Sequence, residues 1–232
     1  MKKIRNIFIR APAILVISVF CAITFLLGCG ASGHEHSLKN QTSVKEVPDA
    51  NGFIQRWLIL EPIGTDDLID NTIREAVSNE SFPNQLSVIP YDGYKVTVGG
   101  TKLTWHAFDT EDYNVNLHYL AQALDKPTSN VLFWAVTTIN CPQEMPGVRL
   151  AVGSNATSIW WINGEEVIEI TCDCQNTIDG GASKRLTLKK GANIVRCAVI
   201  SGDGATSFCA RFLDSDGEPL KGFTVSASEI GK

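Results

Sequence analysis

The stretch SIWWINGEEVIEI, residues 158–170, decides the fold of this chain. Asn163 and Gly164 separate two runs rich in apolar, β-branched and aromatic residues. An Asn-Gly pair in this setting favours a two-residue hairpin turn, because both turn residues take a positive φ, which Asn tolerates and Gly adopts freely. The sequence therefore predicts an antiparallel hairpin in which Trp161 and Glu166 are cross-strand neighbours.

Similar short runs recur along the chain between Gly, Pro and Asn turns. Two segments, 66–78 and 117–124, instead have apolar residues at helical spacing. About ten short strands with one or two short helices predict an all-β protein, a jelly-roll β-sandwich. The predicted strands outside the hairpin are 57–60, 94–98, 102–108, 131–138, 148–152, 185–188, 192–200 and 207–213.

The first 28 residues have the character of a secretory signal. Four basic residues and no acidic one precede an apolar run, which ends in Leu26-Leu27-Gly28-Cys29. This ending resembles the lipobox of bacterial lipoproteins, and the resemblance implies cleavage before Cys29 and acylation of its thiol. We therefore expect a lipid-anchored protein of the bacterial cell envelope, on the outer membrane or cell surface. A transmembrane helix is the alternative, but it needs about 20 apolar residues.

The remaining chain divides into a polar tether, residues 29–49, and a folded domain, residues 50–225. Loss of residues 1–28 takes the formal net charge from −5 to −9, because these residues hold four basic side chains. An acidic chain without a cluster of Lys and Arg argues against a nucleic-acid partner. The membrane, reached through the lipid on Cys29, is the expected partner.

Five cysteines follow Cys29, and export permits their oxidation. Cys197 and Cys209 are equidistant from Asp203 in a predicted hairpin, so we expect them to face each other across two antiparallel strands. That separation suits either a disulfide or a buried reduced pair. The cysteine spacing does not match a four-ligand zinc site, and no metal or cofactor is predicted.

Several motifs resemble those of a galactose-binding-like jelly-roll module that accompanies bacterial acetyl xylan esterases and other polysaccharide-degrading enzymes. The resemblance covers residues 50–220 and implies the fold more than an activity. Because the chain ends at Lys232, we expect the module without its hydrolase, which would be a separate surface protein. The motifs are Trp57-Leu58-Ile59-Leu60-Glu61-Pro62-Ile63, Leu103-Thr104-Trp105, Trp161-Ile162-Asn163-Gly164, Leu188-Lys189-Lys190-Gly191-Ala192-Asn193, and Ala210-Arg211-Phe212-Leu213-Asp214 with Gly217.

The sequence predicts no catalytic residues. A serine hydrolase needs a nucleophile beside a base, but the chain has no G-x-S-x-G motif, and His106 and His118 are the candidate bases in the fold. A glycosidase needs two carboxylates across a cleft, whereas Glu165 and Glu166 are neighbours on a strand. We expect a non-enzymatic protein, with an acetyl xylan esterase-like hydrolase or its accessory subunit as a further alternative.

Adjacent Trp160 and Trp161 point to opposite faces of one strand. Trp161 matches the hairpin position of the module, so Trp160 is the candidate for a sugar-stacking platform, unless both indoles are covered. We therefore expect a lipoprotein that binds carbohydrate at the cell surface. The alternative is a structural or protein-docking lipoprotein with no sugar site.

Lipidation of Cys29 is tested by labelling cells with an alkyne fatty acid. The unchanged chain should incorporate the label and the Cys29→Ser variant should not, because the serine hydroxyl does not replace the modified thiol. Equal labelling of the two proteins would contradict the anchor.

Overall fold

The computed structural model describes residues 46–65, 73–171, 177–202 and 204–227. Cys29, the predicted signal and most of the tether lie outside these ranges, as do Cys172 and Cys174. The helices are α1 (Ile73–Ser78) and α2 (Leu117–Ala123). The strands are β1 (Arg56–Leu60), β2 (Ile63–Gly64), β3 (Lys95–Val98), β4 (Thr101–Asp109), β5 (Val115–Asn116), β6 (Val131–Cys141), β7 (Met145–Ser154), β8 (Ser158–Ile162), β9 (Glu165–Ile170), β10 (Gly181–Ala182), β11 (Leu186–Leu188), β12 (Gly191–Ser201), β13 (Ser207–Leu213) and β14 (Thr224–Ser226).

The described strands form two antiparallel sheets. The larger has the order β3-β4-β1-β6-β12-β8-β9, with β2 and β14 also pairing with β6. The smaller has the order β10-β7-β13-β5, with β11 pairing with β7. Their packed inner faces make a β-sandwich. The predicted all-β jelly-roll class with two short helices is confirmed.

The central strands of the larger sheet are buried on both faces. Successive side chains of a strand alternate between faces, so Phe133 and Ala135 enter the core between the sheets, while Leu132 and Trp134 enter a second cluster on the outer face. β6 is consequently an almost uninterrupted apolar run. We call these two clusters the inner core and the outer core.

The predicted hairpin is present at β8 and β9. Asn163 and Gly164 have φ values of 52° and 85°, and Trp161 pairs with Glu166. The Asn163 side chain also fixes the turn to β12, because its Oδ1 accepts from the backbone N–H of Ile194 at 2.9 Å.

The outer core is covered by α1 and the segment 79–94, which lies over the larger sheet. Phe82 of this segment is buried and makes edge contacts with Trp105 and Trp134, at centroid distances of 6.3 and 6.1 Å. Arg196 of β12 donates to the backbone carbonyls of Gln85 and Val88. The segment is therefore held by its own aromatic side chain and by hydrogen bonds from the sheet.

The predicted pairing of Cys197 with Cys209 is wrong. The chain between β12 and β13 crosses from one sheet to the other: Cys197 pairs with Ala135 and Trp160, whereas Cys209 pairs with Gly153. Cys197 faces the inner core, while Phe208 and Ala210 take that role on β13, so Cys209 points away from it. Both thiols are buried. Two residues at equal distances from a loop face each other only when that loop joins the two strands of one hairpin.

Replacing Gly164 with Val should lower the free energy of unfolding by about 1–3 kcal/mol, because a β-branched residue is forced to a positive φ. A Cβ at Gly164 would meet no atom within 4 Å, so the cost comes from backbone strain alone. Gly64→Val is the matched control, since Gly64 lies in β2, has equally open space and lacks a positive φ. Chemical denaturation measures both, and equal midpoints for the two variants would contradict the turn.

Cys197 and Cys209 should resist alkylation in the native protein at pH 8 and react after unfolding. Burial raises the pKa of both thiols, that of Cys209 to about 11, so little reactive thiolate forms. Peptide mapping after labelling resolves each cysteine separately. A Cys197–Cys209 disulfide peptide recovered without reductant would contradict the observed topology.

Candidate functional site

The structure overturns the sugar-stacking role predicted for Trp160. Its side chain is fully buried in the inner core and its indole N–H donates to Ser158 Oγ at 3.0 Å. Edge contacts with Trp57 and Phe208 surround the ring. Trp160 thus has no face available to a sugar.

Trp161 is also covered, but in the outer core, where it stacks on Trp134 with a centroid distance of 5.7 Å. The two adjacent indoles therefore occupy two separate cores because the larger sheet is buried on both faces. Trp57, Trp105 and Trp134 are likewise buried, so none of the five tryptophans is a surface platform.

Ser201 and His118 lie within hydrogen-bond range, with 3.4 Å between Ser201 Oγ and His118 Nε2. The arrangement does not form a nucleophile–base pair. Ser201 is fully buried, its hydroxyl donates to the Thr128 carbonyl at 2.8 Å, and it accepts from Thr206 Oγ1. The proton that His118 would have to remove is hydrogen-bonded to a carbonyl instead. The cluster therefore has a structural role and holds the end of β12 to its neighbours.

Two carboxylates lie on the outer face of β9. An irregularity in the register opposite Trp160 and Trp161 inserts one extra residue into β9. Glu166 and Glu169, three positions apart, therefore share a face, and both form ion pairs with Arg74 of α1. They line a cleft of about 400 Å³ that also contains Lys184 and Arg185. Since one guanidinium binds both carboxylates, the pair is arranged for ionic contact and not for acid–base catalysis.

A third polar cluster joins the end of β1 to β4 on the inner-core side of the larger sheet, where His106 pairs with Ile59. Glu61 is almost buried, and its two carboxylate oxygens lie 3.3 Å from His106 Nε2 and 3.3 Å from Lys126 Nζ. The side chain predicted as a possible base, His106, thus has a carboxylate partner but no serine or cysteine among the contacts that the described residues give it. These three side chains form a compact cluster of polar and ionic contacts.

The feature best suited to a ligand is a pocket of about 310 Å³ between the segment 79–94 and the end of the β8–β9 hairpin. We call it the Leu86–Ile89 pocket. Its walls combine aliphatic side chains with one amide and two cationic groups. The lining residues are Leu86, Ser87, Ile89, Asn163, Gly164, Lys189, Ala192, Ile194 and Arg196.

Rigid elements hold both sides of this pocket. On one side Arg196 binds the carbonyls on either side of Leu86, those of Gln85 and Val88, so Leu86 and Ile89 are displayed outward, 40% and 37% exposed. On the other side Asn163 is fixed to β12. A mostly apolar pocket with a few fixed polar groups is the usual form of a small-ligand site.

The predictions from sequence missed this pocket. Residues 81–93 are identifiable only as a loop, so nothing in their pattern places Leu86 beside the hairpin turn. The one available signal is Arg196, a charge in the middle of the apolar run Ile194–Ile200. A charged residue inside a buried strand indicates a specific partner for it.

Among the described residues, no group of three or more His, Cys, Asp or Glu side chains is arranged to hold a metal ion. Nor does that part of the chain contain a helix with the length and apolar character needed to cross a membrane.

No protein-family model and no curated protein matches the chain. Solved structures similar to it include a β-glucosidase from Kluyveromyces marxianus in complex with glucose, with 25% identity, 48% of this chain and 14% of that chain covered, and a TM-score of 0.33. Another is an anti-sigma factor domain-containing protein from Clostridium clariflavum, with 12% identity, coverage of 81% and 51%, and a TM-score of 0.41.

A third is the A domain of a subtype-switched epithelial adhesin from Candida glabrata in complex with β-lactose, with 9% identity, coverage of 84% and 98%, and a TM-score of 0.33. The chain thus spans only 14% of the length of the first β-glucosidase chain and 20% of a second one. Each of these TM-scores is below 0.5, so the similarities do not show what this chain binds.

Proposed function

We propose that this protein is a non-enzymatic β-sandwich lipoprotein of the bacterial cell envelope that binds polysaccharide through the Leu86–Ile89 pocket. The lipid on Cys29 would hold it at the membrane surface, as the Leu-Leu-Gly-Cys motif indicates. A separate surface hydrolase would act on the captured polymer.

The observation that carries this proposal is the composition of the pocket. Leu86, Ile89 and Ile194 offer aliphatic surface to the apolar face of a sugar ring, and Asn163 and Lys189 bring polar groups to the same opening. A volume of about 310 Å³ lies at the small end of ligand sites and suits one or two sugar units. Binding at such a shallow site is expected to be weak, with a Kd of roughly 10 µM to 1 mM.

The chemistry of the described residues supports a binding role over catalysis. Ser201 donates its proton to a carbonyl, and Glu166 and Glu169 share one arginine. A nucleophile needs a free base, and a glycosidase needs two independent carboxylates across its cleft. Neither arrangement is available at these clusters.

A second candidate function is protein docking, which a different observation favours. Tyr91, 47% exposed, follows Leu86 and Ile89 on the same segment, so three large apolar side chains are presented together. Such exposed groups are typical of contact surfaces for other proteins. Tyr91 does not line the pocket, and this difference separates the two candidates.

Replacing Ile89 with Ser should weaken polysaccharide binding about tenfold, corresponding to about 1.4 kcal/mol, because the aliphatic contact with the sugar ring is lost. Isothermal titration calorimetry with a plant or algal polysaccharide found by glycan-array screening measures the change. Ile89 is exposed, so the melting temperature should stay within a few degrees of that of the unchanged protein.

Ile178→Ser is the matched control, since Ile178 is 43% exposed and lies away from the pocket. It should leave the Kd unchanged, as should Tyr91→Ser. Loss of polysaccharide binding on Tyr91→Ser with no effect of Ile89→Ser would place the sugar outside the pocket and contradict the proposed site. Steady hydrolysis of p-nitrophenyl acetate that disappears on mutation of Ser201 or His118 would overturn the non-enzymatic assignment.

A further inference from the structure

We propose that the Leu86–Ile89 pocket recognises an anionic group, a carboxylate or a sulfate ester, on an acidic polysaccharide. This inference rests on the proposed function and specifies its ligand class. Arg196 and Lys189 line the pocket, and none of its lining residues carries a carboxylate. The pocket therefore has a local excess of positive charge in a protein whose formal net charge is −5.

Of the two cations, Arg196 gives the stronger evidence for an anionic ligand, because only 2% of this charged residue is exposed. Its guanidinium donates to the backbone carbonyls of Gln85 and Val88. These acceptors are neutral dipoles, so they satisfy hydrogen bonds without cancelling the charge. None of the described residues brings a carboxylate into hydrogen-bond or ion-pair contact with Arg196.

Another arginine of the fold shows the difference that a carboxylate makes. Arg211 forms a two-pronged ion pair with Asp179, which raises the pKa of the Arg211 guanidinium. Burial instead lowers the pKa of Arg196 to about 10. Arg196 still carries its proton at pH 7, so it brings an uncompensated positive charge to the pocket wall. A ligand anion would provide the compensation that Asp179 provides for Arg211.

The donor geometry of arginine suits this class of ligand. A guanidinium has five N–H donors in a planar fork that matches carboxylate and sulfate oxygens. The two carbonyls take one bond each from Nη1 and Nη2, which leaves donor capacity on the group. Charge-assisted hydrogen bonds to an anion are about twice as strong as neutral ones.

Lys189 and the aliphatic walls complete the recognition of an acidic sugar. Lys189 is exposed and belongs to the turn before β12, so its ammonium can reach an anion at the opening. Leu86, Ile89 and Ile194 then contact the ring that carries the acidic group. A neutral sugar would make the aliphatic contacts and leave the charge of Arg196 without an anion, so it should bind less tightly.

The test compares ligands that share a backbone and differ in charge. The full chain, purified in detergent, is titrated with polygalacturonate and with its fully methyl-esterified form, which has lost the carboxylate charge. Dextran sulfate and dextran form the corresponding pair for sulfate. We expect one anionic polymer to bind about tenfold more tightly than its neutral partner at 0.01 M salt. The preference should shrink at 1 M salt, where the screening length falls from about 30 Å to about 3 Å.

Two variants locate the preference in the pocket. Lys189→Gln should reduce the anionic-to-neutral ratio several-fold, and Lys190→Gln, the adjacent exposed lysine outside the pocket lining, should not. Arg196→Gln should abolish the ratio, and its melting curve shows whether the segment 79–94 remains attached. Because Lys189 is exposed, its variant tests the proposal even if Arg196→Gln fails to fold.

The outcomes separate this inference from the proposed function. Equal affinity for the charged and neutral members of both pairs would overturn the inference and leave polysaccharide binding intact. A charge preference that survives both Lys189→Gln and a folded Arg196→Gln would also overturn it, because the cations responsible would lie elsewhere. No binding to these polymers or to any glycan on an array would overturn the proposed function itself.

Discussion

Burial of the larger sheet on both faces is the constraint on which the rest of the structure depends. Alternation along a strand sends Trp160 into the inner core and Trp161 into the outer core, so two neighbouring indoles require two separate coverings. The smaller sheet covers the first. The outer core is covered by α1 and the segment 79–94, which lie outside the two sheets. Phe82 of this segment is buried against two tryptophans.

The candidate site follows from the way this covering is fastened. Arg196 lies on the outer face of β12, where alternation places it among apolar neighbours, and it holds the segment 79–94 by two backbone carbonyls. The middle of the segment therefore lies beside the Asn163–Gly164 turn and presents Leu86 and Ile89 there. One buried charge thus both stabilises the outer covering and gives the pocket its polarity.

Local patterns predicted the local structure well. The hairpin at Asn163–Gly164, most of the strands and helix α2 all follow from turn chemistry and apolar spacing within a few residues. The errors concern contacts between distant parts of the chain. Cys197 and Cys209 lie apart because β12 and β13 belong to different sheets. Trp160 is covered by Trp57 and Phe208, which are distant from it in sequence. The pocket could not be predicted because it joins a loop to a turn some 75 residues away.

The most direct test of the account is to map the ligand site by methyl NMR of the full chain in detergent, with labelled Leu and Ile side chains. On addition of a polysaccharide that binds, the methyl signals of Leu86, Ile89 and Ile194 should shift, while that of Ile178, exposed elsewhere, should stay fixed. Shifts confined to residues around Arg74 and Glu166, with Leu86 and Ile89 unchanged, would contradict the account by placing the ligand in the other cleft.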